Sequence, residues 1–161
     1  MANTTLLRTM VEDYVRGHLE ERYKQPFRPR ALRLRTGRMR GFDAVSDDGR
    51  IVASVSTASG LTRGGGNKPS GKINKGIADL YYLSLIDVPI RLLVLTTPAF
   101  HDIFVREMTG ALAEGIVIEC VPLPDQIQLV VDRIVLEASS EVSPAKVDRL
   151  LKEQVEVEAD P

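Results

Sequence analysis

Apolar residues at the start of the chain recur with helical spacing. Leu6, Leu7, Met10, Val11, Tyr14 and Val15 fall on one face, Thr4 or Thr5 supplies a cap, and Pro26 sets the limit. The period then switches to two. Arg30-Ala-Leu-Arg-Leu-Arg-Thr alternates as a half-buried strand does, and Gly41–Ser46 and Arg50–Thr57 are two more strands around the hairpin turn Asp47-Asp48-Gly49. A glycine-rich basic loop, Ser59 to Gly71, leads into a helix with Ile73, Ile77, Leu80, Tyr81 and Ser84 on one face, which stops before Pro89. Arg91–Thr97 has an unbroken apolar centre, the mark of a central strand covered on both faces. Pro98–Ala113 reads as helix, Gly115–Val121 as strand and Asp125–Ala138 as helix, and Ser143-Pro144 opens a last short helix. The predicted order is α-β-β-β-α-β-α-β-α-α, a three-layer α/β fold with a mixed central sheet flanked by helices. Residues 1–152 are expected to form a single domain and 153–161 an acidic, frayed tail.

Composition narrows the class. With 161 residues, 43% of them hydrophobic, the chain has enough apolar content for a real core and too much for a disordered protein. No apolar run reaches membrane-spanning length, and Met1-Ala2-Asn3-Thr4-Thr5 does not begin a signal peptide. Cys120 has no partner for an internal disulfide and reads as a buried structural thiol. These features point to a reducing, cytoplasmic setting and no membrane partner.

The formal net charge of −1 conceals a strong asymmetry. From Arg22 to Lys75 there are thirteen Lys or Arg against three Asp, so this third of the chain carries +10 and the remainder −11. Eight of those basic residues lie between Arg22 and Arg40 with no acid among them. Such a segment suits a polyanion, and the candidate nucleic-acid contacts are Arg28, Arg30, Arg33, Arg35, Arg38 and Arg40 with Arg63, Lys68, Lys72 and Lys75 of the glycine-rich loop and its helix. The structural alternative is a solvated basic face balanced by the acidic half.

The order α-β-β-β-α-β, with Asp43 in the second strand and a third strand feeding a basic loop and helix, resembles the PD-(D/E)XK, or restriction-endonuclease-like, superfamily over roughly residues 5 to 120. The resemblance implies that Asp43 and an acid-x-Lys on the third strand would hold Mg²⁺ or Mn²⁺ and orient a water against a phosphodiester. Here Ser54 stands where the acid should be and Ser56 where the Lys should be, so the motif is degenerate. Members of the superfamily can relocate these groups to the following helix. Lys72, Lys75, Asp79 and Tyr82 form one stripe there, which makes Asp43, Lys72, Lys75 and Asp79 the catalytic candidates and Asp43, Glu20 and Asp79 the metal candidates, with Glu12 a further ligand. The structural alternatives are an i,i+4 pair for Lys75 and Asp79 and an Arg-paired turn residue for Asp43.

Gly66-Asn-Lys-Pro-Ser-Gly71-Lys72-Ile73 fits the phosphate-loop pattern except that Ile73 replaces the magnesium-binding hydroxyl, which leaves an anion-binding loop and no nucleotide hydrolysis. His18 and His101 have no zinc spacing with Cys120 and read as surface residues. Eight Tyr and Phe and no Trp make a poor base-stacking platform and favour backbone contacts to duplex DNA. The expected function is a nucleic-acid-binding protein of nuclease-like fold without efficient cleavage. The alternatives are a metal-dependent nuclease with relocated residues and an assembly subunit, such as a homodimer paired through its charge asymmetry.

Overall fold

The computed structural model describes residues 4–58 and 68–141. Its elements are α1 (Thr4–Tyr23), β1 (Phe27–Arg33), β2 (Met39–Ser46), β3 (Ile51–Ser56), α2 (Ser70–Ser84), β4 (Ile90–Leu95), α3 (Pro98–Glu107), β5 (Ile116–Cys120) and α4 (Asp125–Glu141). The strands form one sheet in the order β1-β2-β3-β4-β5. β1, β2 and β3 are antiparallel neighbours, while β3, β4 and β5 run parallel. The chain divides into two compact units, Val11–Leu123 and a second made of Met1–Met10 with Pro124–Pro161. The sheet belongs to the first.

Each face of the sheet in that unit carries a buried core. Val15 and Leu19 of α1 pack on Phe27, Ala44, Ile51, Ala53, Leu92 and Val94. On the other face α2 and α3 bring Ile73, Leu80, Leu83, Phe100 and Phe104 onto Phe42, Val45, Val52, Leu93 and Leu95. The consequence is three layers, helix, sheet and helices, as the hydrophobic pattern predicts. β4 lies inside the sheet and is buried on both faces from Leu92 to Leu95, which is why its apolar run does not alternate.

Several boundaries differ from the sequence reading. β1 starts at Phe27, three residues before Arg30, because Phe27 is a core residue and Glu20 accepts its N–H at 3.0 Å. α3 ends at Glu107 instead of Ala113, and Gly110 then turns the chain with φ +78°. β1 and β2 also form a hairpin, closed by Leu34 N–H to Arg38 O at 2.8 Å. Cys120 is half-buried rather than fully buried, and desolvation raises its thiol pKa. The predicted last helix at Ser143-Pro144, the acidic tail and Arg63 lie outside the described residues.

Gly76 of α2 lies directly against Phe104 of α3. A Cβ there would stand 2.7 Å from two ring carbons of Phe104, which is fully buried and stacked on Phe100. Gly76→Ala gains helix propensity of about 1 kcal/mol but meets an overpacking cost of roughly 1–3 kcal/mol, and the ring has no room to yield. The variant is expected to melt lower by a few degrees in a thermal circular-dichroism scan.

Candidate nucleic-acid interface

Strand parity sorts the arginines before any ligand is considered. Arg28 lies opposite Val45 and Arg30 opposite Phe42, and those two partners face α2 and α3. Arg28 and Arg30 therefore project on the same side as α2. Arg40, opposite Leu32, joins them, while Arg33, opposite Met39, points to the other side. Arg35 and Arg38 sit in the hairpin connection, where Arg35 donates to Ser84 O at 2.6 Å and ties the hairpin to the end of α2. The basic run thus divides into groups with different surroundings.

Among the described residues α2 packs chiefly over β3, β4 and β5, and β1 lies at the sheet edge. Arg28 and Arg30 are exposed there, and among the described residues neither has an ion-pair or hydrogen-bond partner. One stripe of α2 carries Lys72, Lys75, Asp79 and Tyr82 at helical spacing, and Asp79 and Tyr82 meet Arg40 of β2. Lys72 is partly buried, and desolvation lowers its pKa. Lys75 is exposed, and its charge acts on Asp79. Lys68, just before α2, forms an ion pair with Glu107 of α3 and is turned from the stripe towards that helix.

Arg40 is the best-held cation of the group. Its guanidinium carbon lies 3.6 Å from the centroid of the Tyr82 ring, and Nη2 stands 3.5 Å from Asp79 Oδ1. Arg40 Nε is buried and has no hydrogen-bond partner. The fork is planar and stacked on the ring, with its Nε shut off from solvent. Burial raises the pKa of Asp79, Lys75 and Arg40 pull it down, and the charge of Asp43 raises it further.

That raised pKa has a stability consequence. A carboxyl whose pKa is higher in the folded than in the unfolded chain binds its proton more readily when folded, so its contribution is fully present below the ordinary aspartate range and is lost as pH rises through the elevated value. Asp79→Asn is expected to melt at or above the parent temperature at neutral pH, and the gap should close at acidic pH.

Asp43 occupies a β-bulge. The pairing steps from Arg28 and Val45 to Arg30 and Phe42, two residues along β1 against three along β2. The extra β2 residue interrupts the ladder, and Asp43 Oδ2 accepts Val55 N–H of β3 at 2.7 Å. Arg16 of α1 donates to the Asp43 carbonyl at 2.8 Å and pairs with Asp13 at 2.5 Å. Sequence reasoning missed Arg16 and the bulge. The available signal was Phe42 and Val45, two core residues three apart in a strand whose side chains should alternate.

The metal candidates do not assemble a cation site. Glu20 caps the start of β1, Asp43 bonds Val55, and Asp79 lies against a guanidinium. Among the described residues no group of three or more His, Cys, Asp or Glu converges to hold a metal ion. Glu12 lies 3.6 Å from Arg16, so the further ligand considered on α1 also faces a cation. Ser54 and Ser56 are buried on the α2 side of β3, only 6% and 5% exposed, and supply no charge. The donor set does not fit a divalent cation that needs several carboxylates.

His18 is exposed, and His101 stands 3.5 Å from Asp102. A cavity of about 420 Å³ lies at the end of α3, lined by Val105, Met108, Leu112, Val117 and neighbours, with no titratable side chain in its wall. No helix of the described residues is long and apolar enough to cross a membrane. No family model, curated protein or solved structure matches this chain.

Proposed function

We propose that the protein binds nucleic acid, duplex DNA above all, through the basic strip between β1 and α2, and that it does so without efficient cleavage. The observation that carries this reading is that Arg28, Arg30 and Arg40 share the sheet face on which α2 packs, and that Arg40 meets Asp79 and Tyr82 of the α2 stripe that also carries Lys72 and Lys75. Cations on two elements can follow a phosphate backbone, and the scarcity of exposed aromatic side chains favours backbone contacts over base stacking. The element order from α1 to β4 is the α-β-β-β-α-β that the restriction-endonuclease-like resemblance implies, and it supports a relationship by fold. Ser54 and Ser56 in place of acid and Lys support the loss of cleavage.

A metal-dependent nuclease with residues moved onto α2 is the second reading, favoured by the negative charge of Asp43 acting on Asp79. One experiment separates the two. Labelled duplex DNA is mixed with the protein in EDTA, and Mn²⁺ is then added in excess. The proposal expects a retarded complex whose DNA remains full length after Mn²⁺. Fragments appearing only with Mn²⁺ would establish the nuclease instead, and no retardation even at low salt would leave the assembly-subunit alternative, tested by a dimer that dissociates as salt rises.

A further inference from the structure

The α2 stripe carries an acid among its cations, and that acid is badly placed for a phosphate binder. Asp79 is only 13% exposed, lies on the binding stripe of α2, and reaches the one arginine that is stacked in place. A carboxylate in such surroundings repels an incoming phosphate and weakens the cation it pairs with. Its loss would strengthen a permanent polyanion site. Its presence therefore calls for a reason within the binding reading.

Resting on that reading, we propose that Asp79 is a displaceable counter-ion: it holds the Arg40 guanidinium against Tyr82 in the free protein, yields it to a phosphodiester oxygen on binding, and takes up a proton from solvent as it does so. The groups around it make the exchange balanced. From α2, Lys75 faces Asp79 one turn earlier and Tyr82 supplies the surface on which Arg40 stays stacked. From β2 come Arg40 and Asp43, whose negative charge already works against a second anion at this place. From β3 the same face offers the hydroxyls Ser54 and Ser56 and no charge, and from β1 it offers Arg28 and Arg30.

The Arg40–Asp79 contact is the weakest link in this set. Its 3.5 Å is long for a charge-assisted hydrogen bond, and Arg40 Nε is unsatisfied beside it. A phosphate oxygen arriving at the guanidinium replaces one weak contact with up to two short ones, and its own charge raises the proton affinity of the displaced carboxyl. Burial has already moved that affinity upward. Binding and proton uptake are then linked, so affinity falls as pH rises through the range in which Asp79 ionises.

The test measures binding of a fluorescent DNA duplex by anisotropy at constant ionic strength from about pH 5.5 to 8 for the parent protein, Asp79→Asn and Arg40→Gln, each checked for folding by circular dichroism. The parent should bind less tightly as pH rises, with a slope of at most about one log unit per pH unit for a single proton. Asp79→Asn should bind about tenfold tighter at pH 8 and lose that dependence. Arg40→Gln should bind weakly across the range. Calorimetry in buffers of different ionisation enthalpy should record proton uptake by the parent and none by Asp79→Asn. A folded Asp79→Asn that matches the parent in affinity and pH profile overturns the counter-ion role while the groove stands. Failure of the parent and both variants to bind at any pH overturns the groove and this role together.

Discussion

Replacing Arg28, Arg30 and Arg40 together by glutamine is expected to weaken duplex DNA binding by about a hundredfold, while Arg33→Gln leaves it nearly unchanged. The contrast follows from the pleat. Arg28, Arg30 and Arg40 project to the α2 side of the sheet and Arg33 to the opposite side, although all four belong to the same basic run. Each lost phosphate contact removes about 0.9 from the log–log salt slope, and three contacts of roughly 1 kcal/mol each multiply to about the stated loss. Binding isotherms of both variants at several salt concentrations check this. Equal losses for Arg33→Gln and the triple variant would mean that net charge alone drives association and that the groove has no special place in it.

Asp43→Ala is expected to destabilise the fold by about 1–3 kcal/mol, with Asp43→Asn losing distinctly less. The Asp43 carboxylate satisfies Val55 N–H at the point where the bulge in β2 breaks the ladder, and alanine leaves that half-buried donor without its acceptor. Asparagine retains an oxygen in the same place. For a chain of this size the loss corresponds to a fall in melting temperature of roughly 2–10 °C, readable in a thermal scan. A residue whose only task was to hold a metal would leave stability unchanged, or raise it, in both variants. The outcome also governs how any loss of function at Asp43 is read, because a variant that melts early can lose function by unfolding.

Much of the architecture was legible because periodicity reports burial, and burial decides the layers. The unbroken Leu92-Leu93-Val94-Leu95 run marked a strand buried on both faces, and the pattern from Ile73 to Ser84 marked a helix, although the face it buries is Ile73, Gly76, Leu80 and Leu83 while Ile77 and Tyr81 are exposed. Ends were harder to read, since they depend on single contacts. β1 begins at Phe27 because Glu20 and the core hold it there, and no local pattern around Pro26 announces that pairing.

The candidate site was legible as a composition and not as an arrangement. Eight basic residues from Arg22 to Arg40 signalled a polyanion surface, yet their division into an α2-facing set, Arg33 and the hairpin residues depends on a register shifted by one residue at the bulge. The stripe of Lys72, Lys75, Asp79 and Tyr82 followed from helical spacing alone. Its pairing with Arg40, distant in sequence and placed by β2, required the tertiary structure.

The central claim is that this strip binds phosphates, and the most direct measurement is anisotropy of a labelled DNA duplex titrated with protein in EDTA at several salt concentrations. With Arg28, Arg30, Arg40 and Lys75 as contacts, micromolar or tighter binding is expected at low salt with a log–log slope of roughly −3 to −4, at about −0.9 per neutralised phosphate. Absence of binding at low salt, or a slope near zero, would contradict it.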